Sequence, residues 1–203
     1  SYEEAFGHSA LALGEDVISI NSFSKYFSMT GWRVGWMTVP ESFVRTVERL
    51  AQNFFICPPH VSQVAALAAL EGGAGAVVTS TGMSAITLLL HALLEPGDRL
   101  VVPHDAYGGS WRLFDALSRK GHFELVTADL TDPRSLAEAL AVPPKLVLVE
   151  TPSNPLLRIT DLRFVIEAAH RAGALVAVDN TFLSPALQVP IDFGADAVVH
   201  STT

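Results

Sequence analysis

Lys145-Leu146-Val147-Leu148-Val149-Glu150 is a run of four apolar residues closed by a carboxylate, and Ala174-Leu175-Val176-Ala177-Val178-Asp179 repeats the design one helix-length later. Neither alternates apolar with polar, so neither offers a face to water. Continuous apolarity of this kind marks strands of a parallel sheet covered on both sides. Between the two, residues 160–172 carry a helical pattern, as the crossover of a parallel pair requires. Working outward, strands are expected at Ala76 to Thr79, Arg99 to Pro103, Phe123 to Ala128 and Ala195 to His200, with helices over 83–94, 107–119 and 133–141. The alternation predicts a wound α/β sheet with helices on its faces.

The N-terminal third has a different rhythm. Val17 to Asn21 and Trp32 to Val39 read as strands flanking a loop that holds Lys25 and Thr30-Gly31, and Pro40 ends the second. Phe43, Val44, Val47, Leu50, Ala51 and Phe54 recur at helical spacing over 41–55. Pro58-Pro59 stops that helix before another from Val61 to Leu70, and Gly72-Gly73 punctuates the chain. The length of 203 residues suits one α/β domain, 1–203, with an ample buried core.

Nearly half the residues (49%) are apolar and only 17% are charged, which argues against disorder. A net charge of -8 gives no electrostatic reason to expect nucleic acid or an anionic membrane as partner. The longest apolar stretches, such as Ala85 to Leu94, fall short of the roughly 20 residues that span a bilayer. Cys57 is the only cysteine, so no internal disulfide forms and a cytoplasmic setting is expected. The chain begins at Ser1 without methionine and stops at Thr203 just after a strand pattern, as a piece of something longer would.

In open α/β sheets ligands gather outside the carboxyl ends of the strands. Ser80-Thr81-Gly82, Tyr107, Glu150, Asp179 and Ser201 all follow strand patterns, and so does Lys25. Thr79 to Ser84 joins a strand to a helix, where free N–H groups suit a phosphate, although a plain helix cap by Ser80 or Thr81 explains the same residues. Tyr107 beside Gly108-Gly109 could stack on a flat heterocycle or be a half-buried core tyrosine. Asp179 needs a partner, which a pyridinium nitrogen, a backbone N–H or an arginine would supply. Of three lysines, Lys120 closes a helix and Lys145 opens a strand, leaving Lys25 the one placed for a Schiff base. A Schiff-base lysine together with such an acid is what pyridoxal phosphate chemistry asks of a protein. His91, His170 and His200 read as core or capping histidines. No spacing suggests a metal site, and the Gly-x-Ser-x-Gly elbow of serine hydrolases is absent.

Two resemblances sharpen these expectations. Residues 1–70 resemble class I/II aminotransferases of the aspartate type, carried by the string SFSKYFSMTGWRVGW. The likeness implies that Lys25 bears the cofactor and that Ser22, Ser24 and Arg33 approach its phosphate. Residues 71–203 resemble the cystathionine γ-synthase and γ-lyase family of sulfur amino acid metabolism. The strings STGMSAI, DAYGGSWRLF, VETPSNPLL, VDNTFLSPALQVP and GADAVVHSTT carry that likeness. It implies that Gly82, Met83, Ser201 and Thr203 form the phosphate cup, that Tyr107 stacks on the ring, and that Asn154 faces the ring hydroxyl. By the same likeness Asp179 pairs with the ring nitrogen and Thr181 lies beside the ring. Both families share the three-layer, mostly parallel large domain of fold type I pyridoxal phosphate enzymes.

The chain departs from the second family: that family's Schiff-base lysine directly follows the Ser-x-Thr that is here Ser201-Thr202-Thr203, and the sequence stops before it. A Tyr-x-Arg segment and a C-terminal domain bearing the substrate-carboxylate arginine are also missing. The arrangement implies either a recombined or designed protein, in which the Lys25 strand takes the sheet position normally filled after Asp179 and rearranges the strand order, or a composite of enzyme pieces. The resulting expectation is a pyridoxal phosphate-dependent lyase or transferase acting on an amino acid, of the γ-synthase/γ-lyase kind. An aspartate-type aminotransferase and a catalytically silent cofactor-binding chimera are the alternatives. A homo-oligomer is expected if the parental habit of sharing sites between subunits survives.

Overall fold

The computed structural model describes Gly14, residues 16–24, 29–54 and 59–73, Val77, and residues 79–201. The chain divides into two units, Ser1–Ala69 and Leu70–Thr203. In the first, β1 (Ser19–Ser22) and β2 (Gly35–Thr38) pair antiparallel, from Ser19 opposite Thr38 to Ser22 opposite Gly35. The Phe23 ring lies 4.8 Å from that of Trp36. With Met29 and Ala66 it forms a small buried cluster. Helices α1 (Glu41–Phe54) and α2 (His60–Glu71) follow, the last two residues of α2, Leu70 and Glu71, already belonging to the second unit, and Pro40 and Pro59 sit at their starts, where a missing N–H is no loss.

The second unit holds a five-stranded sheet in the order β4-β3-β5-β6-β7, with every neighbouring pair parallel. Its strands are β3 (Arg99–Pro103), β4 (Glu124–Ala128), β5 (Leu146–Glu150), β6 (Leu175–Asp179) and β7 (Ala197–Val199). The helices between are α3 (Gly82–Leu93), α4 (Gly108–Arg119), α5 (Pro133–Leu140), α6 (Leu162–Arg171) and the short α7 (Ser184–Leu187). Successive residues of one strand point to opposite faces, and both faces are apolar. Val147, Val149, Val176 and Val178 pack with Leu136 of α5 and Val165 and Ile166 of α6. Leu146, Leu148 and Ala177 pack with Ile86 and Leu90 of α3 and Phe114 of α4. The continuous apolar runs therefore serve two cores at once, and each fully buried Leu or Val there contributes roughly 1.5–3 kcal/mol.

Local chemistry ends the elements where the core stops needing them. The Asp132 carboxylate accepts the N–H groups of Arg134 and Ser135 to start α5, and Asp161 accepts that of Phe164 to start α6. Lys120 occupies the C-cap of α4, with Gly121 following at a positive φ of 80°.

Two expectations fail here. Val77 and Thr79 lie outside any strand, while Ala76 and Val78 fall outside the described residues. The strand leading to Lys25 does not enter the main sheet: β1 pairs with β2, and the place beside β6 belongs to β7. The reason is in the side chains. Ser19-Ile20-Asn21-Ser22 is mostly polar with Ile20 well exposed, whereas Ala197-Val198-Val199 can line a sheet covered on both sides.

Candidate functional site

All five parallel strands end at one edge, and the loops there enclose a cavity of about 320 Å³, a size suited to a small molecule. Gly82, Met83, Tyr107, Asn154, Asp179, Thr181 and Ser201 line it, seven of the residues to which the family resemblance gives a role at the cofactor. Thr81, Ile86, Ser110, Glu150 and Phe182 complete the wall.

One wall is the start of α3. Thr81 caps the helix by accepting the Ser84 N–H at 3.0 Å, so the ordinary cap anticipated for this segment exists, while Gly82 and Met83 face the cavity. A Cβ on Gly82 would lie 2.6 Å from the Ser201 Cβ and 2.9 Å from its Oγ. Only glycine allows these two segments to meet this closely. Opposite, the Ser201 N–H donates to Thr181 Oγ1 at 3.0 Å, and the Thr181 hydroxyl donates to Asp179 Oδ1 at 2.6 Å. The Thr181 N–H donates to the same Oδ1 at 3.1 Å. Asp179 Oδ2 takes no hydrogen bond from a described residue.

Glu150 stands opposite Asp179 in the β5–β6 register. Its oxygens are both committed: Oε2 accepts the Tyr107 N–H at 2.7 Å and Oε1 the Asn154 N–H at 3.0 Å. One buried carboxylate thereby holds the loop that presents Tyr107 and the loop that presents Asn154. Burial pushes this carboxyl up to about 7, helped by the charges of Asp179 and Asp105 and opposed by the two amides. The two neighbouring acids thus have different work, one bracing loops and the other keeping an open acceptor. Tyr107 is 45% exposed, and its ring lies against Gly109, where a Cβ would come within 2.5 Å of it.

Beside the cavity an ionic brace ties three strand ends. Arg158 donates from Nη2 to Asp129 Oδ2 and Thr131 Oγ1, both at 2.6 Å, and its Nη1 lies 3.2 Å from His104 Nε2. Ser153 Oγ donates to Asp105 Oδ2 at 2.7 Å. The Thr131 hydroxyl and then Arg158 hold the Asp129 carboxyl well below the usual carboxylate range.

The remaining sequence candidates lie elsewhere. Ser22 and Ser24 belong to the first unit, where the Ser22 hydroxyl donates to that of Ser24 at 2.8 Å. Arg33, in the same unit, donates to the Thr30 carbonyl and has φ of 52°. Lys25 and Thr203 lie outside the described residues. Of the histidines, His170 pairs with Asp196, His200 with Glu71, and His91 sits exposed in the last turn of α3 against His122. Among the described residues no cluster of His, Cys, Asp or Glu could hold a metal ion, and no helix is long and apolar enough to cross a membrane.

Set beside known proteins, residues 57–203 match the family model described as Cys/Met metabolism PLP-dependent enzyme. The chain belongs to that family. The aminotransferase class I and II model matches residues 2–74. Cystathionine gamma-synthase of Escherichia coli (strain K12) is 59% identical over 138 residues, 68% of this chain and 36% of that protein. That of Mycobacterium bovis is 44% identical over 146 residues, 72% of this chain and 38% of its own. Among solved structures, cystathionine gamma synthase from Xanthomonas oryzae pv. oryzae, in complex with aminoacrylate and cysteine, superposes with a TM-score of 0.69 at 77% identity. That match covers 70% of this chain and 37% of the other. A methionine gamma lyase from Micromonospora echinospora gives 0.66 at 44% identity, over 72% and 40% of the two chains. The chain thus spans well under half the length of the relatives in this family of pyridoxal phosphate-dependent enzymes.

Ser110 and Phe182 were not among the sequence candidates, and Glu150 was noted at its strand end without a role. Glu150 did show one sign, a carboxylate ending a buried strand in the same way as Asp179.

Proposed function

We propose that this chain carries the cofactor-binding framework of a pyridoxal phosphate enzyme of sulfur amino acid metabolism, of the γ-synthase/γ-lyase type that replaces or eliminates a γ-substituent. The observation that supports it best is that seven residues from five separate segments, the start of α3 and the ends of β3, β5, β6 and β7, line one cavity. The donor set suits the group. The glycine contact between Gly82 and Ser201 leaves a narrow cradle at a helix N-terminus, Tyr107 offers an aromatic face, and Asp179 offers an open acceptor. When bound, the cofactor supplies an electron-withdrawing ring that stabilises negative charge at the substrate α-carbon.

The protein's own residues would do the rest. Gly82, Met83, Ser201 and Thr203 bind the phosphate, Asp179 holds the proton on the ring nitrogen, and Thr181 keeps Asp179 oriented. Asn154 faces the ring hydroxyl and Tyr107 covers one face. Lys25 anchors the cofactor aldehyde and moves a proton at the substrate α-carbon as general base. Ser22, Ser24 and Arg33 belong to the phosphate site in the same reading. An amino acid substrate, a cytoplasmic setting and a homo-oligomer complete it.

The aminotransferase reading rests on the family match over residues 2–74. The two part by product: a 2-oxo acid and an aminated cofactor for transfer, a cleaved or exchanged γ-substituent for the sulfur chemistry. The test is to load the 203-residue chain with pyridoxal phosphate, reduce with borohydride, and map the modified peptide. Labelling at Lys25, lost in Lys25→Ala and weakened in Asp179→Ala, is the expected result. Labelling at Lys120 or Lys145, or none, overturns it.

A further inference from the structure

Behind the cavity lies a second buried carboxylate, Glu71, only 4% exposed. Its Oε1 accepts two hydrogen bonds from distant segments, Asn180 Nδ2 at 3.0 Å and His200 Nε2 at 2.7 Å. Asn180 is wholly buried, and it exchanges two further bonds with Gln188: its Nδ2 donates to the Gln188 carbonyl at 2.8 Å and its Oδ1 accepts from Gln188 Nε2 at 3.0 Å. The Glu71 Oε2 has no hydrogen-bond partner among the described residues.

The neighbours of these donors make the arrangement more than a core contact. Asn180 lies between Asp179 and Thr181, and His200 directly precedes Ser201. One oxygen therefore ties the end of β6, which presents the acid, to the end of β7, which presents the serine of the cradle. The Asn180 N–H donates to the Val199 carbonyl at 2.9 Å, and the Ser201 N–H donates to Thr181 Oγ1, so both backbone amides report on the same separation. A carboxylate is not cheaply buried, and a shared acceptor in a low-dielectric site fixes its donors more firmly than a solvated one.

We propose that Glu71 is a positioning residue: through Asn180 and His200 it sets the spacing between the Asp179–Thr181 segment and Ser201, and hence the fit of the cavity to a phosphate-bearing aromatic ligand. The ligand part rests on the cofactor reading above; the spacing part does not. Because one oxygen carries both bonds, Glu71→Gln keeps the acceptor and loses only the charge, whereas Glu71→Ala loses both.

The test uses the full chain, with Leu136→Ala as a control that opens the core on α5, away from the cavity. Hydrogen exchange at the Asn180 and Ser201 amides and pyridoxal phosphate affinity by absorption are both followed. Glu71→Ala is expected to speed exchange at the two amides ~10-fold beyond the control and to weaken cofactor binding by a similar factor, while Glu71→Gln stays within ~3-fold of the parent, since 1.4 kcal/mol of lost bonding is tenfold. If Glu71→Ala does not fold, His200→Phe, which keeps a ring and removes one donor, must show the same selective loss in smaller measure. Exchange no faster than in Leu136→Ala, or a Gln variant as damaged as Ala, overturns the proposal. A parent chain that fails to bind the cofactor refutes the cofactor reading alone, and the amide exchange still decides the role of Glu71.

Discussion

Replacing Glu150 by glutamine should remove a pH dependence that this one residue imposes on the second unit. In the unfolded chain its carboxyl titrates at the ordinary 4.5, and in the fold burial first, then Asp179, carries it to about 7. Between those two values the folded protein holds a proton that the unfolded chain has released, so unfolding sheds a proton and rising pH favours it. The stability associated with Glu150 is complete below 4.5 and lost as pH climbs through 7. At about 1.4 kcal/mol for each pH unit the loss amounts to about 3 kcal/mol. The assay is hydrogen exchange of the β5 and β6 amides, converted to opening free energies across pH 4.5–8, for the parent and Glu150→Gln. At the acid end the variant should be weaker by about 1–3 kcal/mol, because its amide group cannot accept both the Tyr107 and Asn154 N–H groups. Towards pH 8 the gap should close or reverse. Subtracting the two curves cancels every other titrating group, and a flat difference would show that Glu150 is not held as described.

Other perturbations follow from the same geometry. Gly82→Ala places a methyl 2.6 Å from the Ser201 Cβ and should weaken pyridoxal phosphate binding ~10-fold or more by titration, with little change in core exchange. Leu148→Ala, in a strand buried on both faces, should cost about 2–5 kcal/mol by denaturant unfolding. Arg158→Met removes a partner of Asp129, whose contribution is present above its ordinary 3.8 and lost as pH falls below it. The acid-unfolding midpoint should move to higher pH, followed by circular dichroism.

The parallel sheet was readable because each of its central strands must satisfy two cores. Leu146 to Val149 and Leu175 to Val178 have no polar residue to spare, and their lengths match the observed β5 and β6 closely. The helices were equally visible, since Leu162, Val165, Ile166 and Ala169 repeat at the spacing of one buried face. Strand partnership was less visible. Ser19 to Ser22 can pair with any edge that accepts it, and nothing in four residues says that β2, only a loop away, will outcompete a distant sheet.

At the cavity the difference between what could and could not be read is one of range. A carboxylate at the end of an apolar strand announces itself, so Asp179 and Glu150 both stood out; what each touches did not. The amides that occupy Glu150 come from Tyr107, 43 residues away, and from Asn154, four residues on. Glu71 reaches Asn180 and His200 across 109 and 129 residues. Such bonds have no periodicity, because a buried polar group needs only one well-aimed partner and any segment can bring it. That is also why the two strand-end acids part company. They share a register and a cavity wall, yet backbone geometry spends both oxygens of Glu150 on loops and leaves Asp179 an oxygen unspoken for by the described residues. In the cofactor reading proposed above, a protonated ring nitrogen would be the donor that meets that oxygen.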